Sequence, residues 1–78
     1  MKDIEIFTGP GCNHCEQAKK LLRQHGLEFT ERDVSTPGVI AEFRERLPRL
    51  KALPQIFADG RHLGGLEDLL LHLRVTEV

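Results

Sequence analysis

The sequence lacks several features that particular functions require. It has no tryptophan or tyrosine and only four phenylalanines, so it offers few aromatic surfaces on which the bases of single-stranded nucleic acid could stack. Its 11 basic and 12 acidic side chains leave a net charge of −1, which provides no positive field for a phosphate backbone. We therefore expect no nucleic-acid partner.

Long apolar segments are absent as well. The apolar runs are short, as at residues 69–71, whereas roughly 18 residues are needed to span a bilayer. Charged residues at positions 2, 3 and 5 interrupt any apolar leader segment. We expect a soluble, unexported protein with no membrane partner.

Cysteine is scarce for a chain of this size. A secreted domain of 78 residues usually carries several disulfides, because so short a chain buries too little surface to be stable without them. Only Cys12 and Cys15 are present, which favours the reducing environment of the cytoplasm. The length also predicts a single domain over residues 1–78.

The spacing of the two cysteines indicates a disulfide that is made and broken. A ring closed by C-x-x-C stabilises a fold by only about 2 kcal/mol before strain is subtracted, so this pair would be a weak structural cross-link. Two unrelated buried thiols are the other interpretation. A structural zinc site is not expected, because a second Cys or His pair is missing, and His14 and His25 would lie about 16 Å apart along one helix.

Hydrophobic periodicity predicts the element order β-α-β-α-β-β-α. We expect strands at residues 3–7, at about 27–34 as a short or edge strand, and at 54–58 and 61–63, with Asp59-Gly60 as a hairpin turn. We expect helices at residues 12–25, 36–47 and from Leu66 onwards. A parallel βαβ unit followed by an antiparallel hairpin implies an α/β fold, with a mixed four-stranded sheet and three helices.

Local signals predict where the helices end and which side chains face solvent. Thr36 and Pro37 are typical N-cap and first-turn residues, so the second helix should begin there, and Pro48 should end it. Gly26 suits the position that ends the first helix. The outward face of the first helix is expected to carry Glu16, Lys19, Lys20 and Arg23.

The first helix is expected to carry the chemistry. Unpaired N–H groups and the helix dipole at its start stabilise a thiolate, so Cys12 is the candidate nucleophile. Cys15 shares the same helix face three residues on and is the candidate resolving thiol. Cys12 would attack a substrate disulfide and Cys15 would then displace the reduced product; a cycle with Cys12 and glutathione alone is the alternative. His14 would lower the pKa of the Cys12 thiol, unless it is simply an exposed residue of the first turn.

Four motifs occur in a family-specific order: Ile-Phe-Thr at 6–8, Cys-Asn-His-Cys at 12–15, Leu-Pro-Gln-Ile-Phe at 53–57 and Gly-Gly-Leu-Glu-Asp-Leu at 64–69. With them the chain resembles the glutaredoxin family over essentially its whole length. The resemblance implies a thioredoxin-like fold and a thiol-disulfide oxidoreductase that uses glutathione. It also implies that Pro54 is a cis-proline that places the Leu53 backbone opposite Cys12 to pair with substrate. Gly65, Glu67 and Asp68, at the start of the third helix, would hold the γ-glutamyl end of glutathione.

The chain departs from the usual pattern of the family at several positions. It has Gly9 where a lysine is usual, Asn13-His14 where Pro-Tyr is common, Ala52-Leu53 where Thr-Val is familiar, and Glu67 where aspartate is usual. The missing lysine would have met a carboxylate of glutathione. Lys51 and Arg44 are candidates to replace it, the other interpretation being a solvated basic surface.

The resemblance implies glutathione, disulfide-containing proteins and a reductase as partners, no bound metal or organic cofactor, and a monomeric chain. Two alternatives remain open. A Leu-Pro pair also occurs in glutaredoxin-like redoxins that draw electrons from thioredoxin reductase and serve ribonucleotide reductase. A noncatalytic redox sensor, or a carrier of an iron–sulfur cluster shared by two chains with Cys12 as ligand, is the second alternative.

Overall fold

The predicted order of elements is confirmed in the computed structural model, which describes residues 3–76 and side chains as far as residue 74. The elements are β1 (Ile4–Thr8), α1 (Asn13–Gln24), β2 (Thr30–Asp33), α2 (Val39–Arg46), β3 (Gln55–Ala58), β4 (Arg61–Gly64) and α3 (Leu66–Thr76). The strands form one mixed sheet in the order β2-β1-β3-β4. The pair β1·β2 is parallel, whereas β1·β3 and β3·β4 are antiparallel. Across the described residues, no helix has the length and apolar character that crossing a membrane requires.

Different helices cover the two faces of the sheet. On the face covered by α1 and α3, the buried cluster consists of Ile4, Ile6, Ala18, Leu22, Ile56, Leu69 and Leu73. On the opposite face, Phe7 packs edge-on against Phe43 of α2, with ring centroids 5.3 Å apart, and against Phe57 of β3 at 6.0 Å. This division follows from the strands, because alternate side chains of β1 and β3 point to opposite faces.

Helix α1 is terminated at both ends by the residues that the sequence indicates. Cys12 is its N-cap, with extended backbone geometry. At the other end Gly26 adopts a φ of 67°, and its N–H donates to the Arg23 carbonyl while the N–H of Leu27 donates to the Leu22 carbonyl. This pair of bonds is a Schellman motif, which only a residue at ease with positive φ completes cheaply. The predicted role of Gly26 is confirmed.

The predicted start of the second helix is wrong. Helix α2 begins at Val39 rather than at Thr36, and its N-cap is Gly38 with a φ of 88° and no side-chain cap. The Val39 N–H donates to the Thr36 carbonyl at 3.1 Å, which closes a turn before the helix. A left-handed residue at position 38 interrupts helical geometry, so Pro37 lies outside the helix. The second strand is also shorter than expected, because its ladder with β1 begins at Thr30.

Candidate active site

Cys12 and Cys15 lie beyond the carboxyl end of β1, where the loop of residues 9–12 leads into α1. They form a disulfide with 5.2 Å between their Cα atoms. The Cys15 backbone N–H donates to Cys12 Sγ at 3.1 Å, which is the N-cap contact of α1. Cys15 is fully buried, at 0% exposure, whereas Cys12 is partly exposed. Cys12 is therefore the sulfur that an external disulfide can reach.

A cavity of about 300 Å³ lies against the first turn of α1, where it is lined by His14 rather than by either cysteine. Its walls come from the first turn of α1, the turn before β3 and the start of α3, and they consist of His14, Ala52, Leu53, Pro54, Gln55, Gly65, Leu66, Glu67 and Asp68. This volume is at the lower end of the range of about 300–1,000 Å³ found for small-molecule sites. The fold thus brings together residues that the sequence predicted separately, from three different segments.

Two predicted contacts lie elsewhere. Arg44 and Lys51 line a second cavity of about 520 Å³, together with Ile40, Pro48 and Leu50. Neither cation lines the cavity that His14 and Leu53 share. Their proposed contact with glutathione stays a prediction, and Lys51, two residues before Leu53, is the closer of the two along the chain.

The start of α3 is built around the Asp68 carboxylate. Asp68 Oδ2 accepts the Gly65 N–H at 3.0 Å, and the Gly65 carbonyl accepts the Leu69 N–H at 3.0 Å. Gly64 has a φ of 124°, and a Cβ there would overlap the Asp68 carboxylate. Asp68 therefore caps its own helix with one oxygen, while Glu67 is exposed in the same turn.

A polar network that the sequence analysis missed lies beneath the redox loop. Lys19, expected on the outward face of α1, is 9% exposed. Its Nζ lies 3.0 Å from Glu31 Oε2 and 2.7 Å from Glu16 Oε2. Glu31 Oε2 also accepts the hydroxyl of Thr8 at 2.8 Å. The network ties α1, β1 and β2 together at the loop that carries Cys12.

The groups of this network shift one another's pKa values. The Thr8 hydroxyl and, after it, the Lys19 ammonium hold the pKa of Glu31 below its usual value. Hydrogen bonds from Lys19 to Glu16 and then to Glu31 raise the pKa of Lys19. A lysine at the edge of an apolar helix face can extend its ammonium to such carboxylates, and only the parallel pairing of β1 with β2 brings Glu31 within reach.

Metal binding finds little support in the donor set. In residues 3–76 no three His, Cys, Asp or Glu side chains cluster in the way a metal site requires. Cys12 could contribute one thiolate to an iron–sulfur cluster shared by two chains. Cys15 is fully buried, so it is not accessible to such a cluster.

A family model described as glutaredoxin matches residues 4–63 of the chain. The chain belongs to the glutaredoxin family. Glutaredoxin 3 of Escherichia coli K12 is 38% identical over 71 residues, which cover 88% of this chain and 83% of that protein. The solution structure of a glutaredoxin from Brucella melitensis is 44% identical, with a TM-score of 0.77 over 99% of this chain and 84% of that one.

A further relative is much longer. The hybrid peroxiredoxin hyPrx5 of Haemophilus influenzae is 41% identical over 68 residues, which cover 87% of this glutaredoxin but 28% of that protein. The family, its thioredoxin-like fold and its activity are as the sequence predicted: this glutaredoxin is a thiol-disulfide oxidoreductase, and Cys12 and Cys15 form its disulfide.

The structure links two positions at which this glutaredoxin departs from the usual pattern of its family. The Leu53-Pro54 peptide bond is cis, as the resemblance implied. A Cβ added to Gly9 would lie 2.8 Å from Leu53 Cδ1 and 3.6 Å from Val34 Cγ2. A side chain at position 9 would therefore require the end of the Leu53 side chain to shift, which links the two departures sterically.

Proposed function

We propose that this glutaredoxin is glutathione-dependent and reduces mixed disulfides between glutathione and small molecules or proteins. The observation that carries the proposal is the cavity at the first turn of α1, which His14 lines together with the Leu53-Pro54 turn and the first turn of α3. A strand-like backbone and a helix N-terminus are what a short anionic peptide such as glutathione needs for binding.

The two ends of glutathione call for different partners. The γ-glutamyl end carries an ammonium and a carboxylate; backbone N–H groups at the start of α3 suit the carboxylate, and Glu67 and Asp68 suit the ammonium. Among the side chains that line the cavity, His14 is the one able to carry a positive charge. We assign it to the glycyl carboxylate and to the stabilisation of the Cys12 thiolate, with Lys51 and Arg44 as more distant cations.

The reaction is a pair of thiol-disulfide exchanges. The Cys12 thiolate attacks the glutathione sulfur of the mixed disulfide; the S–S bond breaks, and its electron pair leaves on the substrate sulfur, which takes up a proton. A thiolate of a second glutathione then attacks the Cys12 adduct, which releases oxidised glutathione and restores the Cys12 thiolate. With a protein disulfide as substrate, Cys12 again attacks first and forms a mixed disulfide with the protein. The Cys15 thiolate, in place of the second glutathione, then attacks the Cys12 sulfur of that mixed disulfide. That route yields the reduced protein and the Cys12-Cys15 disulfide.

The cellular setting belongs to the same proposal. We place the protein in the cytoplasm, where reduced glutathione and a reductase regenerate the dithiol. It would act as a monomer with no bound cofactor and no nucleic-acid or membrane partner. Its protein substrates would be disulfide-containing proteins.

Turnover of a glutathione mixed disulfide with NADPH tests the proposal. One reaction contains glutathione and glutathione reductase, and a parallel one contains thioredoxin reductase alone. We expect activity in the first only. Activity with thioredoxin reductase alone would overturn the proposal in favour of a thioredoxin-reductase-dependent redoxin, and a brown protein inactive in both would favour a cluster carrier.

Variants of the two cysteines sharpen this test. Cys12→Ser should abolish turnover, because it removes the sulfur that the substrate reaches. Cys15→Ser should retain reduction of the glutathione mixed disulfide, since a second glutathione can resolve the Cys12 adduct, but should lose reduction of a protein disulfide. Equal loss of both activities in Cys15→Ser would contradict the glutathione route.

A further inference from the structure

A short chain of hydrogen bonds connects β4 to the turn that lines the cavity. His62 Nε2 lies 2.8 Å from Gln55 Oε1, and Gln55 Nε2 donates to the Ala52 carbonyl at 3.1 Å. Gln55 is 6% exposed and lines the cavity beside Pro54. His62 itself is exposed and does not line that cavity.

The direction of each hydrogen bond follows from the chemistry of the groups. The Ala52 carbonyl can only accept, so the Gln55 amide must present its NH₂ group there. The amide oxygen of Gln55 then faces His62, whose Nε2 must carry a proton and donate. The Ala52 carbonyl and the His62 imidazole thus hold the Gln55 amide from its two ends.

The sheet places His62 where this contact is possible. Gln55 and Phe57 point to the same face of β3. Phe57 pairs with His62, and the next pair is Ile56 with Gly64, so β4 carries an extra residue between the two pairs. The His62 ring lies 5.1 Å from the Phe57 ring, and its Nε2 extends diagonally to Gln55.

We propose that His62 is a positioning residue: acting through Gln55, it holds the Ala52-Leu53-Pro54 turn in the orientation that binds the substrate backbone. The inference deepens the proposed function, because it concerns the turn to which glutathione would bind. The loss of the His62 donor would free the Gln55 amide to rotate, and the Ala52 carbonyl would lose its partner. The catalytic sulfur itself would be untouched.

A matched pair of variants separates the donor from the ring. His62→Phe retains a ring against Phe57 but cannot donate, whereas His62→Gln can donate to Gln55 Oε1 but has no ring. We expect His62→Phe to raise KM for a glutathionylated peptide about fivefold, which corresponds to the loss of one hydrogen bond. We expect its kcat to stay within about twofold, the signature of lost binding. His62→Gln and the control His72→Phe should resemble the parent in both constants.

A second readout keeps the inference separate from the proposed function. Amide hydrogen exchange at Leu53 reports the order of the turn whether or not glutathione is used. We expect faster exchange at Leu53 in His62→Phe and parent-like exchange in His62→Gln, with thermal unfolding recorded to correct for stability. Unchanged exchange in His62→Phe, or equal effects of both variants, would overturn the inference. A parent that fails to use glutathione but shows the expected exchange pattern would refute only the proposed function.

Discussion

Replacing Glu31 tests the network beneath the redox loop. Glutamine retains an oxygen for the Thr8 hydroxyl but removes the charge that faces Lys19. A hydrogen bond to a charged group contributes about 1.5–3 kcal/mol and a neutral one about 0.5–1.5, and the Glu31 side chain is 37% exposed, so solvent screening reduces the difference. We expect Glu31→Gln to lower the free energy of unfolding by about 1 kcal/mol, or about 4–8 °C in Tm.

Alanine at position 31 should lower the free energy of unfolding by more than glutamine does. It also leaves the Thr8 hydroxyl, in a residue that is 1% exposed, without its acceptor. The penalty for an unsatisfied buried group is about 1–3 kcal/mol, so Glu31→Ala should lower the free energy of unfolding by about 2–3 kcal/mol in total. The matched control is Glu28→Gln, at an exposed position of the same segment. Urea and thermal unfolding of all three variants provide the measurement.

The pH dependence of the same variants gives an independent check. The folded pKa of Glu31 lies below the ordinary value of 4.5, so its contribution is complete above that value and is lost as pH falls through the folded pKa. The pKa of Lys19 is raised above 10.5, so its contribution is lost only as pH rises through that higher value. The free energy of unfolding of the parent should therefore exceed that of Glu31→Gln by a constant margin near neutral pH and by a shrinking margin in acid. A margin that does not shrink as the pH falls below the ordinary pKa of Glu31, or one no larger than for Glu28→Gln, would refute the reasoning.

Three further predictions concern the site. His14→Phe should raise the midpoint of the pH dependence of alkylation of the reduced protein, because it removes an imidazole from the first turn of α1 next to the attacking thiol; an unchanged midpoint would mean that the exposed His14 does not influence the thiol. Gly64→Ala should lower Tm more than Ala at Gly60, since its Cβ would displace the Asp68 cap; equal losses would assign the effect to positive φ alone. Gly9→Lys should bind glutathione more tightly only when combined with Leu53→Val, and a double-mutant cycle with no coupling energy would contradict the steric link.

Much of the fold follows from local patterns. Alternating residues in β1, the 3.6-residue repeat in α3 and the Asp59-Gly60 turn each predict their element from a few neighbouring residues. The wrong start of the second helix occurs where local signals compete. Thr36-Pro37 could start a helix, but the left-handed Gly38 separates that turn from α2.

The parts of the candidate site that lie within sequence motifs could be predicted. The C-x-x-C spacing indicated the redox pair, and the resemblance to glutaredoxins indicated the Leu53-Pro54 turn and the start of α3. The grouping of Arg44 and Lys51 in a separate cavity was not predictable, because charge along a sequence does not tell which way a short helix and the following loop turn.

The sequence by itself determined the order of the elements, the redox-active cysteines and the family, since all three depend on spacing along the chain. Only the tertiary structure decided which polar groups meet. Glu31 reaches Thr8 across 23 residues because β1 and β2 pair in parallel, and His62 reaches Gln55 because β4 carries an extra residue opposite β3. Such contacts depend on strand register, and register is fixed by the packing of the whole sheet against its helices rather than by any local stretch of sequence.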